Sequence, residues 1–140
     1  MYRSHVLVCG GTGCTSSGSH KIMEKLKEEL AKQGLTDEVA VVQTGCHGLC
    51  ALGPIMIVYP DAAFYSMVKE EDIPEIVSEH LLKGRVVKRL LYQETVTPAG
   101  VKALIDTDFY KKQHRIALRN CGIINPESIE EYIGTGGYEA

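Results

Sequence analysis

Four of the five cysteines form two close pairs, and these are the residues whose type and spacing could do chemistry. Cys9 and Cys14 are spaced C-x4-C, and Cys46 and Cys50 are spaced C-x3-C. Thiolates without accompanying carboxylates select soft metals, either tetrahedral zinc or an iron-sulfur cluster. Structural zinc sites use C-x2-4-C spacing, so the second pair fits zinc well and the first lies at the edge of that range. The spacing leaves both kinds of site open.

The two pairs are expected to meet at one edge of a sheet. Each pair lies in a loop that directly follows a predicted strand, and a helix joins those strands, which favours a parallel arrangement. Parallel strands end at the same edge, so the four sulfur atoms can converge there. Glycines around both pairs let backbone N–H groups approach closely: Gly10, Gly11, Gly13, Gly45, Gly48 and Gly53. We expect Ala51, Leu52 and Pro54 to exclude water on one side.

Other chemistries fit these loops less well. A thiol oxidoreductase would need C-x-x-C, which the chain lacks. The phosphate-binding pattern G-x-G-x-x-G fails at Ser16, and the P-loop pattern fails at Ser19. His47 stands between two presumed ligands and is interpreted as a neighbour of the site or an exposed residue. Cys121 is interpreted as a buried structural thiol, not a ligand.

Hydrophobic spacing predicts the elements that position these loops. Strands are predicted at 5–9, 39–43, 55–59 and 64–68, helices at 19–33 and from residue 72 to Gly84, and an extended stretch at 86–92. Ser19 and Asp72 are the predicted helix N-caps. The order β-α-β followed by β-β-α predicts the α/β class: a small thioredoxin-like sheet with two flanking helices, plus a C-terminal extension that lacks its own core.

Three segments are predicted: a domain at 1–93, a linker at 94–107 that contains a Pro and a Gly without helical periodicity, and a C-terminal piece at 108–140. In that piece a mixed segment at 108–118 precedes a helix with Asn125 as N-cap, Pro126 in its first position, and Ile129 and Ile133 on one side. We expect 108–140 to be the start of a domain that this chain does not complete.

Composition and charge exclude several classes of function. The 140 residues carry 15 Lys and Arg against 18 Asp and Glu, a net charge of −3, and the basic residues are scattered, which argues against nucleic acid as a partner. No apolar run approaches the ~20 residues of a transmembrane helix. The N-terminus lacks the plan of a secretory signal, so we expect a cytoplasmic protein whose cysteines bind metal in preference to forming disulfides.

The first ninety residues resemble the thioredoxin-like 2Fe-2S ferredoxins. The resemblance lies in CGGTGC at residues 9–14 and CHGLC at residues 46–50, because that family has two cysteines after its first strand and a C-x3-C after the next. It implies a 2Fe-2S cluster held by Cys9, Cys14, Cys46 and Cys50, which transfers single electrons, with no catalytic residue in the chain.

The segment RNCGIINPESIEEYIGTGGY at residues 119–138 resembles the beginning of the flavin- and NADH-binding subunit shared by respiratory complex I and soluble hydrogenases. A ferredoxin fused ahead of that subunit is typical of the beta subunit of NAD(P)-dependent, often electron-bifurcating, iron-iron hydrogenases and of related formate dehydrogenases. The resemblance implies other redox subunits as partners. The family's FMN, NAD(P) and 4Fe-4S sites lie downstream of residue 140, so we expect this chain to bind none of them. The alternatives are a structural zinc-binding interaction module and a free-standing ferredoxin that forms a homodimer.

Overall fold

The computed structural model describes residues 2–92 and 107–139. Its centre is a four-stranded sheet in the order β2-β1-β3-β4. Strand β1 is parallel to β2, and β3 is antiparallel to both β1 and β4. The strand bounds are β1 Ser4–Cys9, β2 Val39–Thr44, β3 Met56–Tyr59 and β4 Ala63–Tyr65. The predicted parallel pairing of the first two strands is confirmed.

Helical segments connect and flank the strands. The α-helices are α1 Thr12–Ser16, α2 Ser19–Lys32, α3 Ile73–Glu75, α4 Asp108–Lys111 and α5 Ile129–Gly134. Helix α3 continues directly as the π-helical segment Ile76–Leu82, and short 3-10 turns occupy Cys50–Leu52, Glu70–Asp72 and Lys88–Leu90. Helix α1 was not predicted, because five residues of small polar type show no hydrophobic period.

Helix α2 lies where the spacing predicts, but its N-cap differs. Gly18 is the N-cap, with a positive φ of 95°, and Ser19 is already a buried helical residue. Gly34, with φ 69°, follows the helix end as expected for a left-handed terminating residue. The buried face carries Ile22, Leu26 and Leu30.

The second long helix has Asp72 at its N-cap position, as predicted, but the Asp72 side chain makes no capping hydrogen bond to α3. Its carboxylate accepts a hydrogen bond from the Lys69 N–H at 2.9 Å and pairs with Arg89 at 2.7 Å. The predicted apolar face is confirmed, since all four of its members are buried: Ile73, Ile76, Val77 and Leu81.

The sheet separates two apolar clusters. Because side chains alternate along a strand, Val6 and Val8 face α2 and α3, whereas Leu7 and Cys9 face the opposite side. The second cluster is smaller and consists of Leu7, Cys9, Cys14, Val42, Ile55, Ile57 and Phe64. Cys9 and Cys14 therefore belong to the second cluster, on the face of the sheet opposite α2 and α3.

The remaining segments differ from the predictions in detail. The hairpin strand β4 is shorter than expected, and the predicted extended stretch at 86–92 is interrupted by the 3-10 turn Lys88–Leu90 and pairs with the sheet through one bridge, between Tyr65 and Leu91. The predicted linker at 94–107 lies outside the described residues except for Thr107, which is buried. Within residues 2–92 and 107–139, no helix is long and apolar enough to cross a membrane.

The C-terminal helix begins later than predicted. Ser128, not Asn125, is the N-cap of α5, and its hydroxyl accepts a hydrogen bond from the Glu131 N–H. Asn125 instead accepts from the Glu127 N–H in the preceding turn. Ile129 and Ile133, predicted to lie on one side of this helix, are both exposed.

Candidate metal centre

Strands β1 and β2 bring both cysteine loops to one edge of the sheet. Cys9, the last residue of β1, pairs in register with Thr44, the last residue of β2. Cys46 follows two residues after Thr44, and therefore begins its loop at the same edge of the sheet as Cys9. The Cys9 thiol donates to the Gly45 carbonyl at 3.8 Å, so the loops are in direct contact.

The first pair is buried. Cys14 has no exposed surface, and Cys9 is also in the core. Burial raises the pKa of Cys14 to about 11, and a hydrogen bond with Cys9 adds to the effect. The two thiols therefore interact within the same buried cluster, as two ligands of one metal ion would. A metal that binds here would displace the Cys14 proton, because the thiolate is the ligand form.

The second pair is exposed. The Sγ atoms of Cys46 and Cys50 are 3.7 Å apart, and both residues lie at the surface. The hydrogen bond with Cys46 raises the pKa of Cys50. The Gly48 N–H donates to the Cys46 sulfur at 3.3 Å. An N–H group aimed at a sulfur is the kind of donor that stabilises a thiolate.

Three glycines allow the two loops to interlock. A Cβ on Gly11 would lie 2.9 Å from the Cys46 Cβ, and a Cβ on Gly13 would lie 3.0 Å from the Cys50 Cβ. A Cβ on Gly53 would lie 2.8 Å from the Cys14 Sγ. Side chains at these positions would push one loop away from the other. The close approach of both cysteine pairs therefore depends on glycine at residues 11, 13 and 53.

The four candidate ligands form two pairs of thiols. In the described part of the chain, no three His, Cys, Asp or Glu side chains are placed around a single metal position. A two-iron cluster takes two protein ligands at each iron, so two thiol pairs on segments that touch at Gly11 and Gly13 fit that donor set. All four candidate donors are soft sulfur atoms, as iron-sulfur clusters require.

His47, predicted to be a neighbour of the site or an exposed residue, is a buried neighbour of the second cysteine pair. It is 3% exposed, and among residues 2–92 and 107–139 neither ring nitrogen has a hydrogen-bond partner. Burial, together with the nearby positive charge of Arg115, lowers its pKa to about 4, so the imidazole is neutral at physiological pH.

The apolar residues that were expected to exclude water on one side of the site are only partly buried, because Ala51 is exposed, Leu52 is half-buried and Pro54 is buried.

The C-terminal segment packs on the second cysteine loop. The Gly122 N–H donates to the Thr44 hydroxyl at 3.1 Å, and the Tyr110 hydroxyl donates to the His47 carbonyl. Cys121, expected to be buried, is half-buried, and its thiol donates to the Cys46 carbonyl at 3.5 Å. Sequence reasoning missed these contacts because they join residues more than sixty positions apart.

Comparison with known proteins identifies the first part of the chain. Residues 1–81 match the family described as thioredoxin-like [2Fe-2S] ferredoxin. A 2Fe-2S ferredoxin of Clostridium pasteurianum is 41% identical over 96 residues, which cover 63% of this chain and 94% of that protein. The structure of a thioredoxin-like [2Fe-2S] ferredoxin from Aquifex aeolicus aligns with a TM-score of 0.60 at 33% identity, covering 72% of this chain and 99% of that one.

A further similarity is short. Over 29 residues the chain is 69% identical to the NADP-reducing hydrogenase subunit HndC of Solidesulfovibrio fructosivorans, which covers 21% of this chain and 6% of that subunit. The family match spans more than half of the chain, and the α/β fold agrees with it. The chain belongs to the thioredoxin-like [2Fe-2S] ferredoxin family, and it is an electron-transfer protein whose cofactor is a 2Fe-2S cluster.

Proposed function

We propose that Cys9, Cys14, Cys46 and Cys50 hold the cluster, one pair at each iron. The supporting observation is the interlock of the two loops, in which Gly11 and Gly13 of the first loop contact Cys46 and Cys50 of the second. This contact brings two separate sulfur pairs to one place. When bound there, the cluster supplies one-electron redox chemistry.

The two cysteine pairs have different surroundings, and we assign them different roles in electron transfer. The buried pair excludes water on its side, because Cys9 and Cys14 are part of an apolar cluster that includes Leu7 and Phe64. The exposed pair lies at the surface, where a redox partner can approach closely. The Gly48 N–H offsets negative charge at the Cys46 sulfur. Electrons therefore enter and leave at the Cys46 and Cys50 side.

Serine substitutions test the ligand assignment. Cys9→Ser, Cys14→Ser, Cys46→Ser and Cys50→Ser should each lose the cluster or change its visible spectrum, because an oxygen replaces a soft sulfur donor. Cys121→Ser is the matched control, since it removes a thiol from the same region without removing a proposed ligand. An unchanged visible spectrum in Cys46→Ser would overturn the assignment.

We further propose that the chain works within an NAD(P)-dependent hydrogenase or an NADH dehydrogenase type of flavoprotein assembly. In this proposal residues 94–107 are a linker and 108–140 begin the flavoprotein part. Two similarities support it: the stretch of 69% identity to HndC, and the resemblance of residues 119–138 to the beginning of such subunits. The proposed partners are the other redox subunits of that assembly, in the cytoplasm.

An electron-transfer assay tests this context. Purified HndC and NADPH should reduce the cluster of this chain faster than they reduce that of the clostridial 2Fe-2S ferredoxin, which serves as the matched acceptor. Bleaching of the visible absorption gives the rate. Equal rates for the two acceptors would contradict the hydrogenase context and leave the cluster assignment standing.

A further inference from the structure

One peptide group connects a proposed ligand to the C-terminal segment. Its N–H belongs to Gly48 and donates to the Cys46 sulfur at 3.3 Å. Its carbonyl belongs to His47 and accepts a buried hydrogen bond from the Tyr110 hydroxyl. Because a peptide group is planar and rigid, a contact at its oxygen fixes the direction of its N–H. The Tyr110 hydroxyl thus acts on the Cys46 sulfur through a single peptide.

Tyr110 is itself held firmly. It is 8% exposed, and its backbone N–H donates to the Thr107 hydroxyl at 3.3 Å. The Arg115 guanidinium lies 4.7 Å from the centre of its ring and also donates to the Cys121 carbonyl at 3.4 Å. Burial raises the pKa of Tyr110, so its hydroxyl keeps the proton that it donates.

We propose that Tyr110 is a positioning residue that sets the reduction potential of the cluster through the peptide between His47 and Gly48. This inference rests on the proposed assignment of Cys46 as a ligand. A hydrogen bond accepted at a carbonyl polarises the peptide and strengthens its N–H as a donor. Donors to ligand sulfurs tune the potential of an iron-sulfur cluster. They stabilise the more negative reduced state, so the Tyr110 hydroxyl raises the potential.

Tyr59 provides a control that distinguishes an effect on the reduction potential through the peptide from a loosening of the C-terminal segment. The Tyr59 hydroxyl donates to the Gly122 carbonyl at 3.4 Å, so it also joins the sheet to that segment. Gly122 in turn contacts Thr44 and the His47 ring, not the carbonyl of the peptide that faces Cys46. Tyr59→Phe therefore removes one hydroxyl and one attachment without removing the bond to that peptide.

The test is an EPR-monitored redox titration of the full chain. Tyr110→Phe should shift the reduction potential to more negative values than in the unsubstituted protein and in the matched control Tyr59→Phe. Replacement of Tyr110 by 3-fluorotyrosine keeps the ring and makes the hydroxyl a stronger donor, so it should shift the potential in the positive direction. This second variant decides the question if Tyr110→Phe loses its cluster.

Several outcomes would overturn the inference. One is a potential in Tyr110→Phe equal to that in Tyr59→Phe; another is a fluorotyrosine protein with an unchanged or more negative potential.

Resonance Raman spectra give a second expected result. The deuterium shift of the iron–thiolate stretching bands should be smaller in Tyr110→Phe than in the unsubstituted protein, because the N–H···S bond is weaker. Failure of the ligand assignment is recognised separately, by a Cys46→Ser protein with an unchanged cluster spectrum.

Discussion

The two cysteine loops reach the same edge of the sheet but are stabilised in different ways. In the first loop both cysteines belong to the elements at its ends, because Cys9 is the last residue of strand β1 and Cys14 lies in helix α1, and both are in the apolar core. The second loop leaves Cys46 and Cys50 at the surface. Its carbonyls are bound by residues far along the chain, including Tyr110 and Cys121.

This difference indicates what each loop contributes. A buried sulfur pair gives a rigid and water-excluding anchor, because packed interiors tolerate little displacement. An exposed pair gives access for electrons, but its loop needs outside contacts to keep its peptides oriented. The first loop is therefore expected to govern whether the cluster is retained, and the second to govern its potential and its exchange with partners.

The largest effect should come from exchanging sulfur for oxygen in the two loops separately. Cys14→Ser should yield protein without cluster absorption, because a hard oxygen replaces a soft sulfur ligand in the buried pair, where no water can take its place. Cys50→Ser should assemble a cluster with a shifted spectrum that decays with time, since water solvates the exposed hydroxyl. Iron content and visible spectra of both purified variants give the comparison. Greater loss in Cys50→Ser would reverse the proposed roles.

A smaller effect is expected where the loops touch. Gly13 lies in helix α1, so alanine there should favour the helix by up to about 1 kcal/mol on local propensity alone. A Cβ would nevertheless lie 3.0 Å from the Cys50 Cβ and 3.4 Å from its sulfur. We expect the half-life of the cluster in Gly13→Ala to fall several-fold.

Gly134→Ala is the matched control, because Gly134 is also helical and a Cβ there would lie within 4 Å of no atom in the described part of the chain. The half-life is measured as the decay of visible absorption at 37 °C. If Gly13→Ala keeps its cluster as long as Gly134→Ala does, contact between the loops is not needed to retain the cluster.

A still smaller effect on the cluster is expected from loosening the C-terminal segment. Gly122 has φ 78°, and a Cβ there would lie 2.5 Å from the His47 ring, so Gly122→Ala combines backbone strain of about 1–2 kcal/mol with a clash. Trypsin should then cut residues 111–119 faster, while the cluster stays bound. Gly136→Ala carries the same strain, at φ 86°, without a contact to the cysteine loops. Equal cleavage rates in the two variants would show that the contact does not hold the segment.

The smallest effect on the cluster should come from the helix-covered face of the sheet. The Tyr65 hydroxyl accepts from the Val87 N–H at 3.0 Å and contacts the His80 ring at 2.7 Å, so Tyr65→Phe removes this partner from the Val87 N–H and from one ring nitrogen of His80. Urea denaturation should show a loss of about 1–3 kcal/mol in the free energy of unfolding. The EPR spectrum and the potential should not change. A shifted potential would mean that the whole core, and not the loops alone, tunes the cluster.

The sequence was sufficient for features that depend on local pattern and connection. The parallel pairing of β1 and β2 follows from the helix between them, and the burial of Ile22 and Leu26 follows from helical spacing. The same reasoning predicted that the two cysteine loops share one edge of the sheet, because parallel strands must end together.

Features that depend on distant contacts could not be predicted. Nothing local signals that His47 is buried, because the residues that cover it, such as Gly122, come from the far end of the chain. The predicted capping interactions are absent for a related reason. Ser19 is buried inside α2, and Asp72 occupies the N-cap position of α3 with its carboxylate paired to Arg89. Tertiary contacts outweighed local preference at both positions.

Thiol alkylation of the iron-loaded protein tests the central claim most directly, because the two exposed cysteines would react first if they were free. With iodoacetamide and peptide mass spectrometry, we expect labelling of Cys121 alone in the cluster-bound protein and of all five cysteines after iron removal and denaturation. Labelling of Cys46 or Cys50 in protein that retains its full iron content would contradict it.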